Sequence, residues 1–333
     1  MKRTNLYILI ILLSSYYTQA KILIFTFAYN RPDFIEIQYQ TFSKFLSEEF
    51  ELIVFNDATE QTAKKGIEQI CTALNLICVT IPQKIHARPY LNRPDKSKPH
   101  AAIRNCNVVQ YAMDIIGFDH NDILMLVDSD LFLIREFDIR NFIQNHHAAA
   151  FMRPCSDVPE KYHNCTTLHP HVSGISYFWI GLVILNMNSL PHKYALNFNR
   201  GTVQTVFGPS FVDAGGYSYY SKTCIPNFKA KPIIRTCFQD IICTSCKEKN
   251  SAICTHSTAT LQHLGVPNDL IKLLQQIPLD PRKEQADRGI ELFNAGTFLH
   301  YRSGSNWNKA SRAFIANKDK AFNNLIKTIL EQE

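Results

Sequence analysis

Glycine is scarce in this chain, 12 of 333 residues, and none falls between Ala28 and Phe34, directly after the first apolar core run. A glycine-rich phosphate loop at that point is therefore excluded. No low-complexity tract interrupts the sequence and no segment repeats, which sets aside disordered and repeat architectures. Nor is the N-terminal apolar run long enough for an easy membrane span. Leu6 to Leu13 would make a helix of about 12 Å, against about 30 Å of bilayer hydrocarbon. An excess of one charge is also missing. The formal net charge is a scattered +6, part of it from Lys2 and Arg3. That is too little to argue for nucleic acid, and it suits small anionic ligands. What is present is enough chain for a large α/β domain with a substantial core.

Residues 1–20 read as a targeting segment. Lys2 and Arg3 precede the apolar stretch, and Thr18-Gln19-Ala20 offers small residues at cleavage offsets. A cleaved signal peptide is the expectation, with a short anchor over residues 5–17 as the alternative. Either implies a secretory route (secreted, luminal or periplasmic), and the anchor also implies membrane proximity. Ten cysteines, an even count, fit an oxidising compartment. Cys237, Cys243, Cys246 and Cys254 cluster in a polar, cysteine-rich insertion at 221–260. Their spacing is not a strong zinc pattern, so a disulfide-stapled loop is expected and zinc is the alternative. Cys71, Cys78 and Cys106 fall on apolar faces and read as core thiols. Asn164-Cys165-Thr166 is a formal glycosylation sequon.

From Lys21 the pattern alternates. Residues 21–28 form an apolar β-rich run, then Ile35, Tyr39, Phe42, Phe45 and Leu46 stripe a helix. Leu52 to Phe55 is a second strand ending at Asn56-Asp57; Ile67, Ile70, Cys71 and Leu74 stripe a second helix; Leu76 to Ile81 is a third strand. This is the signature of βαβ units on a parallel sheet. Gln83 to Pro99 reads as a long polar loop. A helix with Ala102, Cys106, Val109, Met113 and Ile116 on its buried face follows. A short helix (Asp138 to Gln144) and a strand (Ala148 to Met152) come after the next strand. Beyond residue 153, polar loops alternate with aromatic strands. Tyr177 to Leu185 passes through Gly181, Phe211 to Tyr220 holds a Gly-Gly turn with Asp213, and a helix from about Ser311 to Leu330 closes the chain.

The stretch Asp122 to Asp130, DILMLVDSD, organises the rest. Five apolar residues stop at two aspartates one residue apart. So short and apolar a run reads as a strand buried on both faces, and ligands of open parallel sheets bind beyond the carboxyl ends of such strands. In an extended chain Asp128 and Asp130 point to one side and Ser129 to the other. Two hard oxygen donors aimed at one spot suit Mg2+ or Mn2+ with a phosphate as co-ligand.

In order and spacing these segments resemble the GT-A fold of nucleotide-sugar glycosyltransferases. FTFAYNRPD (25–33) is similar to the opening strand and turn of such enzymes, and LIVFNDATEQT (52–62) to the second strand with its base- or ribose-binding aspartate. IRNCNVVQYA (103–112) resembles the helix with an Arg-Asn pair, and ILMLVDSDLFLIREFDI (123–139) the metal strand. The second half is closest to the glycogenin and lipopolysaccharide-galactosyltransferase branch, through YFWIGLVILNMNSL (177–190) and HYRSGSNW (300–307), whose histidine is the third metal ligand in that branch. Trp179-Ile180 replaces the polar pair usual before Gly181, the late segment lacks the Lys-Pro before Trp307, and residues 221–295 match nothing in the family.

The resemblance implies an α/β, Rossmann-like, mostly parallel central sheet flanked by helices, with a nucleotide-sugar half at 21–152 and an irregular acceptor-side half at 153–333. It implies a metal held by Asp128, Asp130 and His300, and a nucleotide sugar, a UDP-sugar foremost, met by Tyr29, Arg31, Asp57, Arg104, Asp128, Ser129 and Arg302. Trp179 and Gly181 would lie on the side of a glycan, lipid or protein acceptor, and Asp213 is the candidate base. Each residue also has a plainer role: Asp57 as a helix cap, Arg31 and Arg104 as surface charge, His300 as a half-buried core histidine, Asp213 as a turn residue. A nucleotidyltransferase on a similar sheet would need the absent glycine loop. A cysteine-stapled carbohydrate- or nucleotide-binding protein without turnover is the rival from another class.

Overall fold

The computed structural model describes residues 21–87, 101–155, 176–206, 208–239, 261–262, 265–279, 287–302 and 312–332. The targeting segment, the sequon at Asn164, most of the cysteine-rich insertion and residues 303–307 lie outside the described residues. Among the described residues, no helix is long and apolar enough to cross a membrane.

The first strand, β1 (Ile22–Ala28), is buried along its whole length and pairs in parallel with β2 (Phe50–Asn56) and with β4 (Ile123–Asp128). β3 (Ile77–Thr80) adds in parallel to the far side of β2. Period-two alternation assigns each strand's side chains to opposite layers. Leu23, Phe25, Phe27, Leu124 and Leu126 face one core; Ile22, Ile24, Ile123, Met125 and Val127 face the other. The first core is closed by helix α3 (Ala101–Ile115) through Cys106, Val109, Ala112 and Met113. The second is closed by α1 (Pro32–Phe45) through Ile35 and Phe42, and by α2 (Gln61–Ala73) through Ile67 and Cys71. α1 opens on a proline, whose missing N–H costs nothing in the first turn.

The seven-stranded sheet runs β10-β6-β7-β4-β1-β2-β3, with β6 (Ala148–Pro154), β7 (Ser176–Asn186) and β10 (Ala230–Pro232) on one side of β4. β7 runs antiparallel to both β4 and β6, so the sheet is mostly parallel with one reversed strand inside it. The chain leaves β1 toward β2 on one side and returns to β4 on the other. The crevice at the carboxyl ends of β1 and β4 is the switch point where open α/β sheets bind ligands.

The Asp-x-Asp is not one extended segment. β4 ends at Asp128, and a turn at Ser129-Asp130 starts β5 (Leu131–Leu133) in a different sheet. That sheet is antiparallel, ordered β11-β12-β13-β5, with β11 (Arg235–Gln239), β12 (Asp287–Phe293) and β13 (Phe298–Tyr301). A third core ties it to α6 (Asn268–Gln275) and the closing helix α7 (Arg312–Glu331). Among the described residues, two short helices lie between α3 and α6, α4 (Ile139–Ile143) and α5 (Ser218–Cys224). β8 (Gly201–Thr205) and β9 (Gly208–Val212) form a separate hairpin. The polar stretch after β3 begins as a tight helical turn at Gln83–Ala87, and residues 88–100 fall outside the described ones.

Phe132 of β5 is fully buried, with ring centroids 5.4 Å from Phe34 of α1 and 5.0 Å from Phe322 of α7. Phe132→Ala is expected to cost about 3–5 kcal/mol. Chemical denaturation of the full chain measures this, and a loss under about 1 kcal/mol would mean the third core is not packed as described.

Candidate functional site

Asp128 sits at the carboxyl end of β4, opposite Phe27 of β1. The turn after it is clamped by a buried glutamine in the apolar stripe of α1. Gln38 Nε2 donates to the carbonyls of Asp128 and Leu131, both at 2.8 Å, and its Oε1 accepts from Thr26 Oγ1 at 2.8 Å. The Tyr301 amide donates to the Asp130 carbonyl at 2.8 Å, which joins the turn to β13. His300 on β13 lies opposite Leu131, and its Nε2 is 3.2 Å from Asp130 Oδ1. One donor atom from each of Asp128, Asp130 and His300 lies within 4.8 Å of the others. Asn105 Nδ2 donates to Asp128 Oδ1 at 3.2 Å.

The charges around this cluster balance one another. Burial, then the neighbouring Asp130, pushes the Asp128 carboxyl up to about 6. Burial alone would lower His300, but Asp130 and Glu291 outweigh it and hold the imidazole at about 10. Glu291 faces His300 directly across the β12–β13 ladder, its Oε2 2.8 Å from Nδ1. Burial alone would raise Glu291; His300, Arg235 and Arg302 outweigh it and bring it to about 2. Arg235 is 3.3 Å and Arg302 3.8 Å from its Oε1. With Nδ1 committed to Glu291, Nε2 is the nitrogen aimed at Asp130, the arrangement by which second carboxylates orient metal-bound histidines. Two carboxylates and one imidazole nitrogen are a donor set for a divalent ion that accepts mixed O/N ligands, Mn2+ more readily than Mg2+.

Gly181 on β7 makes room for this. A Cβ there would lie 2.6 Å from Asp128 Oδ2 and 2.2 Å from the Trp179 ring. Trp179 stacks on Phe293 at 5.5 Å and stands 5.1 Å from the His300 ring. Tryptophan and glycine together form the wall of the carboxylate cluster.

A second cluster gathers at the end of β2. Asp57 Oδ1 is 2.8 Å from His86 Nε2, and Arg104 donates to Asp57 Oδ2 at 2.8 Å and to its carbonyl at 3.1 Å. The Arg104 guanidinium lies 5.4 Å over the Tyr29 ring, and Tyr29 and Thr59 share a hydroxyl contact of 3.3 Å. Asp57 does not cap α2, whose N-cap is Glu60 with no side-chain bond. Arg31 is engaged elsewhere, with Asp33 at 2.6 Å, Asp319 at 3.4 Å and the Phe34 ring 3.8 Å below its guanidinium. Ser129 is buried in the turn between Asp128 and Asp130.

Asp213 begins the Gly-Gly turn. Gly215 has φ +88°, and a Cβ there would sit 2.0 Å from the Phe178 carbonyl oxygen, so only glycine fits. The carboxylate lies between two guanidiniums, Arg153 at 3.6 Å and Arg200 at 3.9 Å. Arg153 also stands 5.5 Å from the Trp179 ring. His86, Glu291, Arg153, Arg200 and Gln38 escape the sequence reading. A lone glutamine inside the apolar stripe of α1 and a lone carboxylate inside the apolar run of β12 were the available signals.

Glu291→Gln is expected to weaken Mn2+ binding about 10- to 100-fold with the fold retained. Mn2+ titration followed by paramagnetic resonance reads this; unchanged affinity would remove Glu291 from the site. The same titration carries a pH dependence. A bound ion must displace the proton that His300 holds at about 10 and, lower down, the one that Asp128 holds at about 6. Affinity is therefore expected to fall about tenfold per pH unit on acidification, and more steeply below about pH 6. A flat profile would contradict the assignment of His300 as a ligand.

No family model and no curated protein matches the sequence. Solved structures do. A mannosyltransferase from Pyrobaculum calidifontis in complex with GDP-Man and Mn2+ is 12% identical, covers 64% of this chain and 54% of that one, and gives a TM-score of 0.38. Core-mannan synthase A from Aspergillus fumigatus in its Mn/GDP form is 10% identical over 51% of this chain and 60% of that one, with a TM-score of 0.33. A galactosyltransferase in complex with donor and acceptor sugar analogues is 14% identical over 50% and 58%, with a TM-score of 0.31. The chain spans about half the length of these structures.

Proposed function

We propose that this chain is a GT-A-type glycosyltransferase that moves a sugar from a nucleoside-diphosphate donor, a UDP-sugar foremost, to a glycan, lipid or protein acceptor. The observation that carries the reading is the convergence of Asp128, Asp130 and His300 at the carboxyl ends of the sheet, with β1 between them and the Asp57–His86–Arg104 cluster. A divalent ion on the first cluster would neutralise the charge that develops on a diphosphate leaving group.

The remaining work belongs to the protein's own side chains. Asp57, Arg104 and Tyr29 offer a carboxylate, a guanidinium and an aromatic face to a nucleoside. Asn105 fixes the Asp128 carboxylate against rotation, and Gln38 fixes the backbone that separates the two aspartates. Trp179 and Gly181 shape the wall beside the reacting sugar. On the acceptor side Asp213 can receive hydrogen bonds from sugar hydroxyls while Arg153 and Arg200 hold it in place. A route through the secretory system, with residues 1–20 as signal or anchor, agrees with the composition of that segment.

Release of nucleoside diphosphate from UDP- and GDP-sugars in the presence of Mn2+ tests the proposal. The wild type is expected to turn over at least one donor, and Asp130→Asn to lose about 10²-fold or more with its thermal midpoint retained. Equal rates in the two proteins would overturn the metal role. Metal-dependent binding without turnover of any donor or acceptor pair would favour a binding protein on a transferase-like sheet.

A further inference from the structure

The return from α2 to β3 brings two cysteines together. Cys71, near the end of α2, is buried, and Cys78, the second residue of β3, is half-buried and packs against the same core. The turn between them is tight. Asn75 takes a left-handed φ of 53°, its amide donates to Thr72 at 3.2 Å, and the Leu76 amide donates back to the Cys71 carbonyl at 2.8 Å. Both thiols are free, and they hydrogen-bond to each other. Cys106 and Cys155 are buried in other cores and Cys224 is exposed on α5.

We propose that Cys71 and Cys78 are a disulfide-forming pair that staples the end of α2 to the edge strand β3. The two thiols are unequal in a way that suits the chemistry. Cys71 is buried, while Cys78 is half-buried and the more accessible of the two. Cys78 is then the first nucleophile. Its thiolate attacks the disulfide of an oxidant such as oxidised glutathione, forming a mixed disulfide and expelling one glutathione thiolate. Cys71 gives up its proton and attacks the Cys78 sulfur, expelling the second. Two protein thiols are oxidised and one glutathione disulfide is reduced to two glutathiones.

The staple lies at a useful place. Among the described residues β3 is an edge strand of the seven-stranded sheet, and covalent anchoring holds such an edge in register. β3 leads through Ile81, whose amide donates to the Asn56 carbonyl at 2.9 Å, into the turn that carries His86 to Asp57. Cys78 also bonds the Asn56 side chain, the residue before Asp57. The inference itself rests on the placement of the thiols and not on the activity of the site.

No lysine or arginine separates the two cysteines, so trypsin leaves both on one peptide, residues 66–84. The reduced full chain is equilibrated with glutathione buffers of increasing oxidised fraction, quenched in acid, alkylated, digested and weighed. The expected result is a peptide that passes from two alkyl groups to none, lighter by two hydrogens. Cys71→Ser, which removes the resolving thiol, is expected to leave a glutathione adduct on Cys78. Two alkyl groups at every potential, or a wild-type peptide that stops as a Cys78 adduct, would overturn the proposal.

Discussion

Two carboxylates one residue apart, Asp130 buried and Asp128 half-buried, lie where two sheets meet, and their mutual repulsion has to be answered inside the protein. The answer is His300, 3.2 Å from Asp130 and delivered from a different sheet. The same imidazole is held from behind by Glu291, which is in turn flanked by two arginines. Such an alternation of sign is a costly arrangement unless every charge is paired. It also explains the architecture: the turn at Ser129-Asp130 ends the parallel sheet and starts the antiparallel one, so the charge cluster is the joint between them.

Helix α3 ties this joint to its surroundings. Arg104 reaches the carboxylate at the end of β2, Asn105 reaches Asp128, and the Cys106 thiol, pushed up to about 12 by burial, rests against the backbone of Gly215 and Arg200. Three consecutive residues thus touch the Asp57 cluster, the Asp128–Asp130–His300 cluster and the turn that carries Asp213. A small rotation of one helix would alter all three together, which makes its packing on β1 and β4 a functional matter as well as a structural one.

Much of this was legible in the sequence because it is local. The β1–α1–β2–α2–β3 order follows from periodicity, and the burial of Ile123 to Val127 from an unbroken apolar run. What escaped depends on pairing between distant segments. The spacing of Asp128 and Asp130 suggested one extended strand, and the turn between them could not be read without the partner strand β13. Glu291 became visible only once β12 and β13 were in register, ten residues of chain reversing to face His300. The reversed β7 strand has the same apolar composition as its parallel neighbours, so its direction left no trace. Asp57 was open between a cap and a ligand, and the position of Glu60 at the helix start resolves the first alternative.

The most direct measurement is calorimetric titration of the full chain with UDP and GDP, with and without Mn2+. If Asp128, Asp130 and His300 hold one divalent ion beside the Asp57 cluster, micromolar binding of at least one nucleotide is predicted, and it disappears when the metal is chelated. Binding that is indifferent to Mn2+, or no binding of either nucleotide at millimolar concentration, would contradict it.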